Sequence, residues 1–410
     1  MDIPGLPARK AALRLHDAVL RRGETLDQAA GGALLGIRGD ADRALARALA
    51  GESLRWLVDL DELIDSATRL PLAEDAKARA VLRLMLAGWL RLETPPHAVI
   101  ATGLELLQGG PRRLAHGVFS TLVKRAVTLP DAPTLPEPVR ERWGIRSEAI
   151  AKALAVPPPL DLSLRDWSET ARWAEELGGI SLMPGHIRLP RGEAVERLAG
   201  FAEGAWWVQD LAASLPARLL GAGEGKCVLD LCAAPGGKTM QLAAAGWQVT
   251  ALDSGARRIE RMCENLARVG LTAKVVEGDV LEWAPDRLFD AVLLDAPCTA
   301  TGTCRRHPDV LHRIGLRQVA EMVELQAQML SRAATWLAPG GHLVYAVCSL
   351  EEAEGAGQMG QMTLTPDPVR AEELPAGLAP TTEGWLRTDP AMLAATGGLD
   401  GFFIARFAVP

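Results

Sequence analysis

The second half of the chain alternates short apolar runs with helical stretches, and this alternation constrains the possible folds more than any other feature of the sequence. Such alternation predicts a parallel, doubly wound sheet with helices on both faces. Ligands of this architecture bind beyond the carboxyl ends of the strands, so the functional residues are expected there. The predicted strands are Lys226–Leu231, Gln248–Asp253, Ala273–Val276, Phe289–Asp295 and His342–Val347, and the predicted helices are Gly237–Ala245, Ala256–Val269 and Leu316–Leu337.

Length and composition indicate a globular, multidomain protein. A chain of 410 residues with 48% hydrophobic and 23% charged residues is long and apolar enough for two or three separate cores. No apolar run reaches the roughly 18 residues of a membrane helix, and the first residues lack the pattern of a secretory signal, so we expect a cytoplasmic protein. We also expect it to be a monomer. Six cysteines without a Cys-x-x-Cys pair predict reduced thiols and no metal site.

The chain divides into three predicted regions. Residues 1–130 carry apolar side chains three and four positions apart, which predicts an all-α domain. Residues 131–205 begin as a proline-rich linker and continue as a small α+β module. The alternating region, residues 206–410, forms the α/β domain.

The distribution of charge keeps a nucleic-acid partner open. A net charge of −7 argues mildly against phosphate binding, which usually leaves a basic footprint. However, residues 351–400 hold 2 basic against 9 acidic side chains, whereas residues 1–130 hold 18 basic against 15 acidic ones. The acidity is therefore concentrated near the end of the chain, and the N-terminal third is slightly basic.

A turn of small residues follows the first strand of the α/β domain and is the candidate cofactor site. Its glycines allow the backbone to turn sharply and to approach a ligand closely. The turn is not a Walker A motif, because Cys232 stands where that motif requires glycine, and Gly-x-Gly-x-x-Gly is also absent. Taken alone, it could be a structural bend. The candidate residues are Cys232, Ala233, Ala234, Pro235, Gly236, Gly237 and Lys238.

Acidic residues at successive strand ends favour a nucleoside-containing cofactor. Asp253 ends the second strand, where a carboxylate can accept both ribose hydroxyl hydrogen bonds. Asp279 follows the third strand and could bind an adenine amino group, and Asp295 ends the fourth. A single aspartate at such a place is often only a helix cap. Three of them in register predict a ligand site.

Two cysteines follow neighbouring strands of the predicted sheet. Cys298 lies just beyond the fourth strand and Cys348 just beyond the fifth, so both thiols are expected in one pocket. Carbon 5 of cytosine is a weak nucleophile, and a thiolate that adds to carbon 6 activates it toward methylation. Asp295 could hold cytosine nitrogen 3 in its protonated form and stabilise the charge that develops. Spacing alone does not decide which cysteine attacks, and the remaining cysteines, Cys227, Cys263 and Cys304, are expected to be packing residues.

Several long motifs resemble those of one enzyme family. They are Cys232–Lys238; Asp295-Ala-Pro-Cys298 with Thr301-Gly302 and Arg305-Arg306-His307-Pro308-Asp309; Val347-Cys348-Ser349; Trp207-Val-Gln-Asp210; and Asp400-Gly-Phe-Phe403. In this order the motifs resemble the NOL1/NOP2/Sun family of RNA cytosine-5 methyltransferases, and more closely its bacterial RsmB/Sun branch, which acts on small-subunit ribosomal RNA. The N-terminal helical region is similar to the NusB-like RNA-binding domain of that branch.

The resemblance implies a role for each candidate residue. It implies a C-terminal Rossmann-like class I methyltransferase domain that binds S-adenosyl-L-methionine through Cys232–Lys238, Asp253, Asp279 and Asp295. It makes Cys348 the thiolate that attacks carbon 6 and Cys298 the group that helps product release. Three further residues, Arg305, Arg306 and His307, are predicted to lie at the rim of the pocket and to contact the RNA. Val347 stands where the family usually has threonine, and Cys304 where it usually has an apolar residue.

Other functions leave different marks on the sequence. A catalytically inactive RNA-binding factor would lack a cysteine or a donor-site acid, and none is lost. An amino-group methyltransferase commonly places an aromatic residue after Pro-Pro beyond the fourth strand, where this chain has Ala296-Pro297-Cys298. A DNA cytosine-5 methyltransferase would use the cysteine after proline, Cys298. The order of motifs and the helical domain favour the RNA enzyme.

Overall fold

The computed structural model describes residues 3–192 and 194–409 and divides the chain into two compact units. One unit runs up to Val156 and includes the separate segment Cys304–Ile314; the other comprises Pro157–Thr303 and the chain from Gly315 onward. No helix within the described ranges is both long enough and apolar enough to cross a bilayer.

The first unit is helical, as its period of apolar residues predicts. Its core is built from buried leucines, alanines and aromatics, with Trp56 and Phe119 among the largest fully buried side chains. Its α-helices up to Val156 are α1 (Leu6–Arg22), α2 (Leu26–Ala33), α3 (Asp40–Arg55), α4 (Leu57–Ser66), α5 (Lys77–Leu90), α6 (Pro96–Gly103), α7 (Gly109–Lys124), α8 (Glu137–Trp143) and α9 (Ser147–Leu154).

This unit extends past the predicted domain boundary at residue 130 and also takes in a distant piece of chain. The helices α8 and α9 belong to it. Arg55, which is buried, donates hydrogen bonds to the carbonyls of Leu154 (3.3 Å) and Arg305 (2.8 Å), and His312 Nε2 lies 2.6 Å from the carbonyl of Leu54. Residues 304–314 are thus packed into the helical unit, although they follow the fourth predicted strand in sequence.

A small α+β module opens the second unit. The strands β1 (Leu160–Leu164), β2 (His186–Leu189) and β3 (Trp206–Val208) form an antiparallel sheet in the order β2-β1-β3, with the helix α10 (Thr170–Glu176) between β1 and β2. Asp161 and Arg188 form a buried bidentate ion pair across β1 and β2, with both distances 2.7 Å. Asp161 also accepts a hydrogen bond from Leu211 N (3.0 Å), which ties the module to the chain that follows.

An eight-stranded sheet forms the centre of the second unit. Its order is β10-β11-β8-β7-β4-β5-β6, with β9 paired to β11. The chain order is α11 (Leu211–Arg218), β4 (Cys227–Leu231), α12 (Gly237–Ala244), β5 (Gln248–Asp253), α13 (Ala256–Val269), β6 (Lys274–Glu277), β7 (Phe289–Asp295), α14 (Val310–Arg313, within the helical unit), α15 (Leu316–Ala334), β8 (Leu337–Val347), β9 (Thr365–Pro366), β10 (Leu386–Thr388) and β11 (Phe402–Ala408).

The five predicted strands form the parallel half of this sheet. β6, β5, β4, β7 and β8 run in the same direction, and their carboxyl ends meet at one edge. The predicted doubly wound fold is therefore confirmed. The sheet is mixed, because β11 runs antiparallel to β8, and β9 and β10 each pair antiparallel with β11. These three strands were not predicted.

Candidate active site

The two candidate cysteines lie side by side at the carboxyl edge of the sheet. β7 and β8 are parallel neighbours, with Asp295 opposite Ala346, so the chain leaves both strands at the same level. Cys298 follows β7 and Cys348 follows β8 directly, and their sulfur atoms are 3.4 Å apart. Both residues are partly buried. A pyrimidine ring that reaches one sulfur would therefore contact the other.

Close backbone contacts hold the two cysteine loops. Gly302 N donates to the carbonyl of Cys348 (3.0 Å), and Gly401 N donates to the carbonyl of Gly302 (2.9 Å). A Cβ atom on Gly302 would lie 1.9 Å from the carbonyl oxygen of Gly401. Only glycine fits here, because any side chain would push the loops apart. The Thr301-Gly302 and Asp400-Gly401 motifs, far apart in sequence, thus meet beside Cys348.

Glu354 joins the same two loops through its side chain, and the sequence did not single it out. The residue is fully buried. Its Oε1 accepts hydrogen bonds from the hydroxyls of Thr299 and Ser349 (2.8 Å for the latter), and its Oε2 accepts from Thr299 N and Gln326 Nε2 (2.9 Å each). The signal was the acidic stretch after Ser349, but no pattern distinguishes this glutamate from its neighbours.

The two thiols differ in their electrostatic surroundings. Hydrogen bonding to Cys348, burial, and the negative charges of Cys348 and Glu354 together raise the pKa of Cys298 well above its usual range. Cys298 is therefore held as a neutral thiol. When Cys348 is ionised, Cys298 is the hydrogen-bond donor of the pair.

A lysine–aspartate pair lies beside the cysteines. Lys238 Nζ is 2.7 Å from Asp295 Oδ2, and their side chains are 10% and 30% exposed. Burial alone would lower the pKa of Lys238, but attraction to Asp295 and then to Cys348 raises it. The lysine is thus a fixed positive charge next to the two thiols.

The predicted cofactor loop is a tight turn anchored to the next strand. Gly236 adopts φ +99° and precedes α12, and Cys232 also has positive φ, at 59°. Ala234 N donates to Asp253 Oδ2 (3.1 Å). Burial and nearby carboxylates raise the pKa of Cys232 above its usual range, so this cysteine is not a nucleophile.

The acidic strand ends differ in their surroundings. Asp253 is buried; its Oδ1 accepts from Gly255 N (2.8 Å) and pairs with Arg258 (2.8 Å), whose side chain is 57% exposed. Asp279 is exposed, and its Oδ1 accepts from Leu281 N (2.8 Å), as a capping residue does. Both carboxylates can accept hydrogen bonds from hydroxyl or amino groups, and the arginine that pairs with Asp253 is exposed.

Asp230 is a further titratable group of the site that the sequence did not single out. Its side chain is fully buried at the end of β4, and its Oδ2 accepts from Thr239 Oγ1 of α12 (2.6 Å). Burial, with repulsion from Asp295 and Asp253, raises its pKa to about 7. The hydrogen bond fixes the start of α12 against β4 and so shapes the cofactor turn.

The three residues predicted to contact RNA differ in their exposure to solvent. Arg305 is only 1% exposed and lies within the helical unit, so its predicted position at an open rim is wrong. Packing of residues 304–314 among the helices explains the burial. Arg306 is exposed, and His307 is partly buried with Nδ1 3.8 Å from Asp27 Oδ2.

The other cysteines divide between packing and surface positions. Cys304 is fully buried in the helical unit and Cys227 is partly buried, as expected for packing residues. Cys263 is instead exposed on α13, so it is not a core residue.

Fold and site together define a class of enzyme. If the two-residue strand β9 is left out and the strands are renumbered from β4, the sheet order is 6-7-5-4-1-2-3, and the seventh strand, β11, runs antiparallel to β8. A turn of small residues and successive acidic strand ends mark the nucleoside side of this sheet. This arrangement is that of the methyltransferases that use S-adenosyl-L-methionine.

Comparison with known proteins gives the family. Residues 217–408 match the model of the 16S rRNA methyltransferase RsmB/F family, and residues 6–110 match that of the NusB family. Ribosomal RNA small subunit methyltransferase B of Klebsiella pneumoniae is 33% identical over 399 residues, which cover 90% of each chain. The protein of the same description from Salmonella arizonae is 33% identical over 365 residues, covering 81% of this chain and 85% of that one. The chain therefore belongs to the RsmB/Sun family of ribosomal RNA methyltransferases.

Solved structures agree on the fold. The crystal structure of PH0851 covers 99% of both chains with a TM-score of 0.73 at 22% identity. NSun6 from Pyrococcus horikoshii, solved with SFG, covers 67% of this chain and 98% of its own with a TM-score of 0.58 at 18% identity. At these identities the likeness concerns the fold alone.

Proposed function

We propose that this protein methylates carbon 5 of a cytosine in 16S ribosomal RNA through a covalent bond between Cys348 and carbon 6. The observation that carries the proposal is the 3.4 Å distance between the sulfurs of Cys298 and Cys348 at the edge of the sheet that carries the cofactor turn. The descriptions of the matching family and of the relatives, which name 16S or small-subunit ribosomal RNA, support the substrate.

Cys348 is the nucleophile in this proposal. Its thiolate adds to carbon 6, and the electron pair of the 5,6 double bond then becomes available at carbon 5. Lys238 pairs with Asp295, which holds its ammonium group in place. This positive charge attracts Cys348 and stabilises its thiolate before attack. S-adenosyl-L-methionine, when bound, supplies an electrophilic methyl group from its sulfonium.

Asp295 acts on the base itself. One carboxylate oxygen holds Lys238, and the side chain is exposed enough for the other oxygen to reach a base. We assign this oxygen to nitrogen 3 of cytosine, which it holds in the protonated form. A protonated nitrogen 3 withdraws electrons from carbon 6, and the negative charge that thiolate addition places on the ring is thereby stabilised.

Cys298 assists the release of the methylated base from Cys348. After methyl transfer, carbon 5 gives its proton to solvent, and the electron pair of that bond re-forms the 5,6 double bond as the bond between carbon 6 and the Cys348 sulfur breaks. The departing sulfur regains negative charge, and the neutral thiol of Cys298, 3.4 Å away, can donate a hydrogen bond to it. The raised pKa of Cys298 suits this role.

The RNA substrate needs further contacts outside the pocket. The target base must leave its stack to reach the cysteines, and the flanking strand then requires positive surface. We propose Arg306 and His307 as such contacts, together with basic side chains of the NusB-like helical unit, and we expect the protein to act as a monomer. Arg305 takes no part, because it is buried.

The test combines product analysis with trapping of the covalent intermediate. The protein is incubated with 16S ribosomal RNA and methyl-labelled donor, and nucleosides are identified by mass spectrometry. We expect 5-methylcytosine from the wild type, none from Cys348→Ala, and a covalent protein–RNA adduct that persists with Cys298→Ala. Cys263→Ala, which changes an exposed cysteine, is the matched control and should behave as wild type. Methylation of an exocyclic nitrogen, or full activity without Cys348, would refute the proposal.

A further inference from the structure

Glu354 holds the residues that follow both cysteines. Thr299 comes directly after Cys298 and donates through its backbone N and its hydroxyl, whereas Ser349 comes directly after Cys348 and donates through its hydroxyl. A fourth donor, Gln326 of α15, bonds to the same carboxylate and to the carbonyl of Pro297 (2.9 Å each). Both cysteine loops are therefore attached to one buried side chain.

The chemistry of a carboxylate suits this position. An ionised carboxylate offers about four acceptor sites and no donor, and all four donors here are neutral N–H or O–H groups. An amide of the same shape would present its own N–H group to two of them, which leaves buried donors facing each other. The negative charge of Glu354 also contributes to the raised pKa of Cys298, which separates the two thiols in protonation.

We propose that Glu354 is a positioning residue whose carboxylate sets the distance between the sulfurs of Cys298 and Cys348 and thereby the rate of the reaction. The proposal rests on the proposed function, because it gives both sulfurs a part in one reaction. Glu354 itself touches neither substrate nor cofactor. Its effect passes through Thr299 and Ser349, and a small displacement of reacting groups is enough to cost about 100-fold in rate.

The test replaces Glu354 and measures the sulfur pair directly. Diamide removes one hydrogen atom from each of two neighbouring thiols, which then form a disulfide while diamide is reduced to its hydrazine. The rate at which the Cys298–Cys348 disulfide forms is followed by peptide mass spectrometry in the absence of RNA and methyl donor. This rate reports how closely the two thiols approach each other. The control is Glu352→Gln on the same loop, which changes a glutamate that is exposed.

With Glu354→Gln we expect disulfide formation to be about 10-fold slower or more, and kcat to be about 100-fold lower. The KM for RNA and the affinity for the methyl donor should change less than about threefold. Glu354→Asp should recover part of both losses. Alkylation of Cys298 by iodoacetamide should begin at lower pH in Glu354→Gln than in the wild type, because a negative charge is removed. A merely structural role would not shift this pH profile.

Three results would overturn the proposal: unchanged disulfide rate and kcat, an unchanged alkylation profile, or a loss of donor binding as large as the loss of kcat. If Glu354→Gln does not fold, Ser349→Ala and Gln326→Met each remove one donor, and an unchanged disulfide rate in both overturns it as well. The disulfide measurement does not depend on which base is methylated. Failure of the proposed function and failure of this inference are therefore distinguishable.

Discussion

Asp230 is predicted to make the methyltransferase unit less stable as the pH rises, and its replacement should remove this dependence. The carboxyl group is fully buried, and its pKa is raised from 3.8 to about 7. Between these values the unfolded chain is ionised while the folded chain still binds the proton. Unfolding then releases a proton. The contribution of Asp230 to the free energy of unfolding is therefore fully present below pH 3.8 and is lost as the pH rises through about 7.

The magnitude follows from the two pKa values. Each pH unit within this interval lowers the free energy of unfolding by about 1.4 kcal/mol, and the whole interval lowers it by about 4 kcal/mol. Asn at position 230 cannot ionise but can still accept the hydrogen bond from Thr239. Relative to the wild type, Asp230→Asn should therefore gain about 2 kcal/mol in unfolding free energy between pH 5.5 and pH 8.

The measurement must separate the two units, because a multidomain chain need not unfold in one step. Urea titrations at pH 5.5 and 8, each followed by a short pulse of protease and mass spectrometry of peptides from residues 227–295, report the methyltransferase unit alone. Asp286→Asn, which changes an exposed aspartate of the same unit, is the control. If Asp230→Asn keeps the pH dependence of the wild type, the account of this buried carboxyl group is wrong.

Three further predictions concern other contacts. Arg258→Ala should tighten binding of the methyl donor up to about fivefold, as measured by calorimetry. The substitution removes an exposed ion pair, worth about 0–1 kcal/mol, in which Arg258 competes with a ribose for Asp253. Weaker donor binding would contradict this prediction. Gly302→Ala should lower kcat at least about 100-fold, whereas Gly360→Ala, with open space around its Cβ, should not; equal effects would rule out the close contact as the cause. Arg188→Met should destabilise the second unit to urea by about 3–5 kcal/mol, because the buried carboxylate of Asp161 loses its bidentate ion pair; a loss below about 1 kcal/mol would show that the pair contributes little.

Local patterns predicted the parallel half of the sheet well, because each strand there contains consecutive apolar residues and lies between turn residues. The predicted strand His342–Val347 begins earlier in the structure, at Leu337. Pro339 and Gly340 read as a turn in the sequence, yet the strand continues through them with an irregular register against β7. Prolines are tolerated in strands at such irregularities, but sequence alone does not reveal where one occurs.

Residues whose positions depend on distant parts of the chain escaped prediction. Arg305 follows a catalytic motif and carries a charge, so a surface position was the natural expectation, yet Arg55 binds its carbonyl from 250 residues away. Glu354 is one of three glutamates within four positions. Glu351 is buried as well, and only tertiary packing decides that Glu354 is the one that bonds to the residues after both cysteines. Periodicity predicts which face of an element is apolar, but it carries no information about which loop a side chain will reach.

Val347 shows how the fold tolerates a departure from the family pattern next to the nucleophile. Side chains alternate along β8, so Val347 lies with Tyr345 in the apolar cluster on one side of the sheet, whereas Cys348 packs against the cluster on the other side. A hydroxyl at position 347 would therefore lie on the side of the sheet opposite to Cys348, in the cluster against which Cys298 packs. Valine adds apolar volume to that cluster, whereas a buried hydroxyl there would need a hydrogen-bond partner. The proposed chemistry accordingly depends on the residues after the strand, and the residue before Cys348 serves the core.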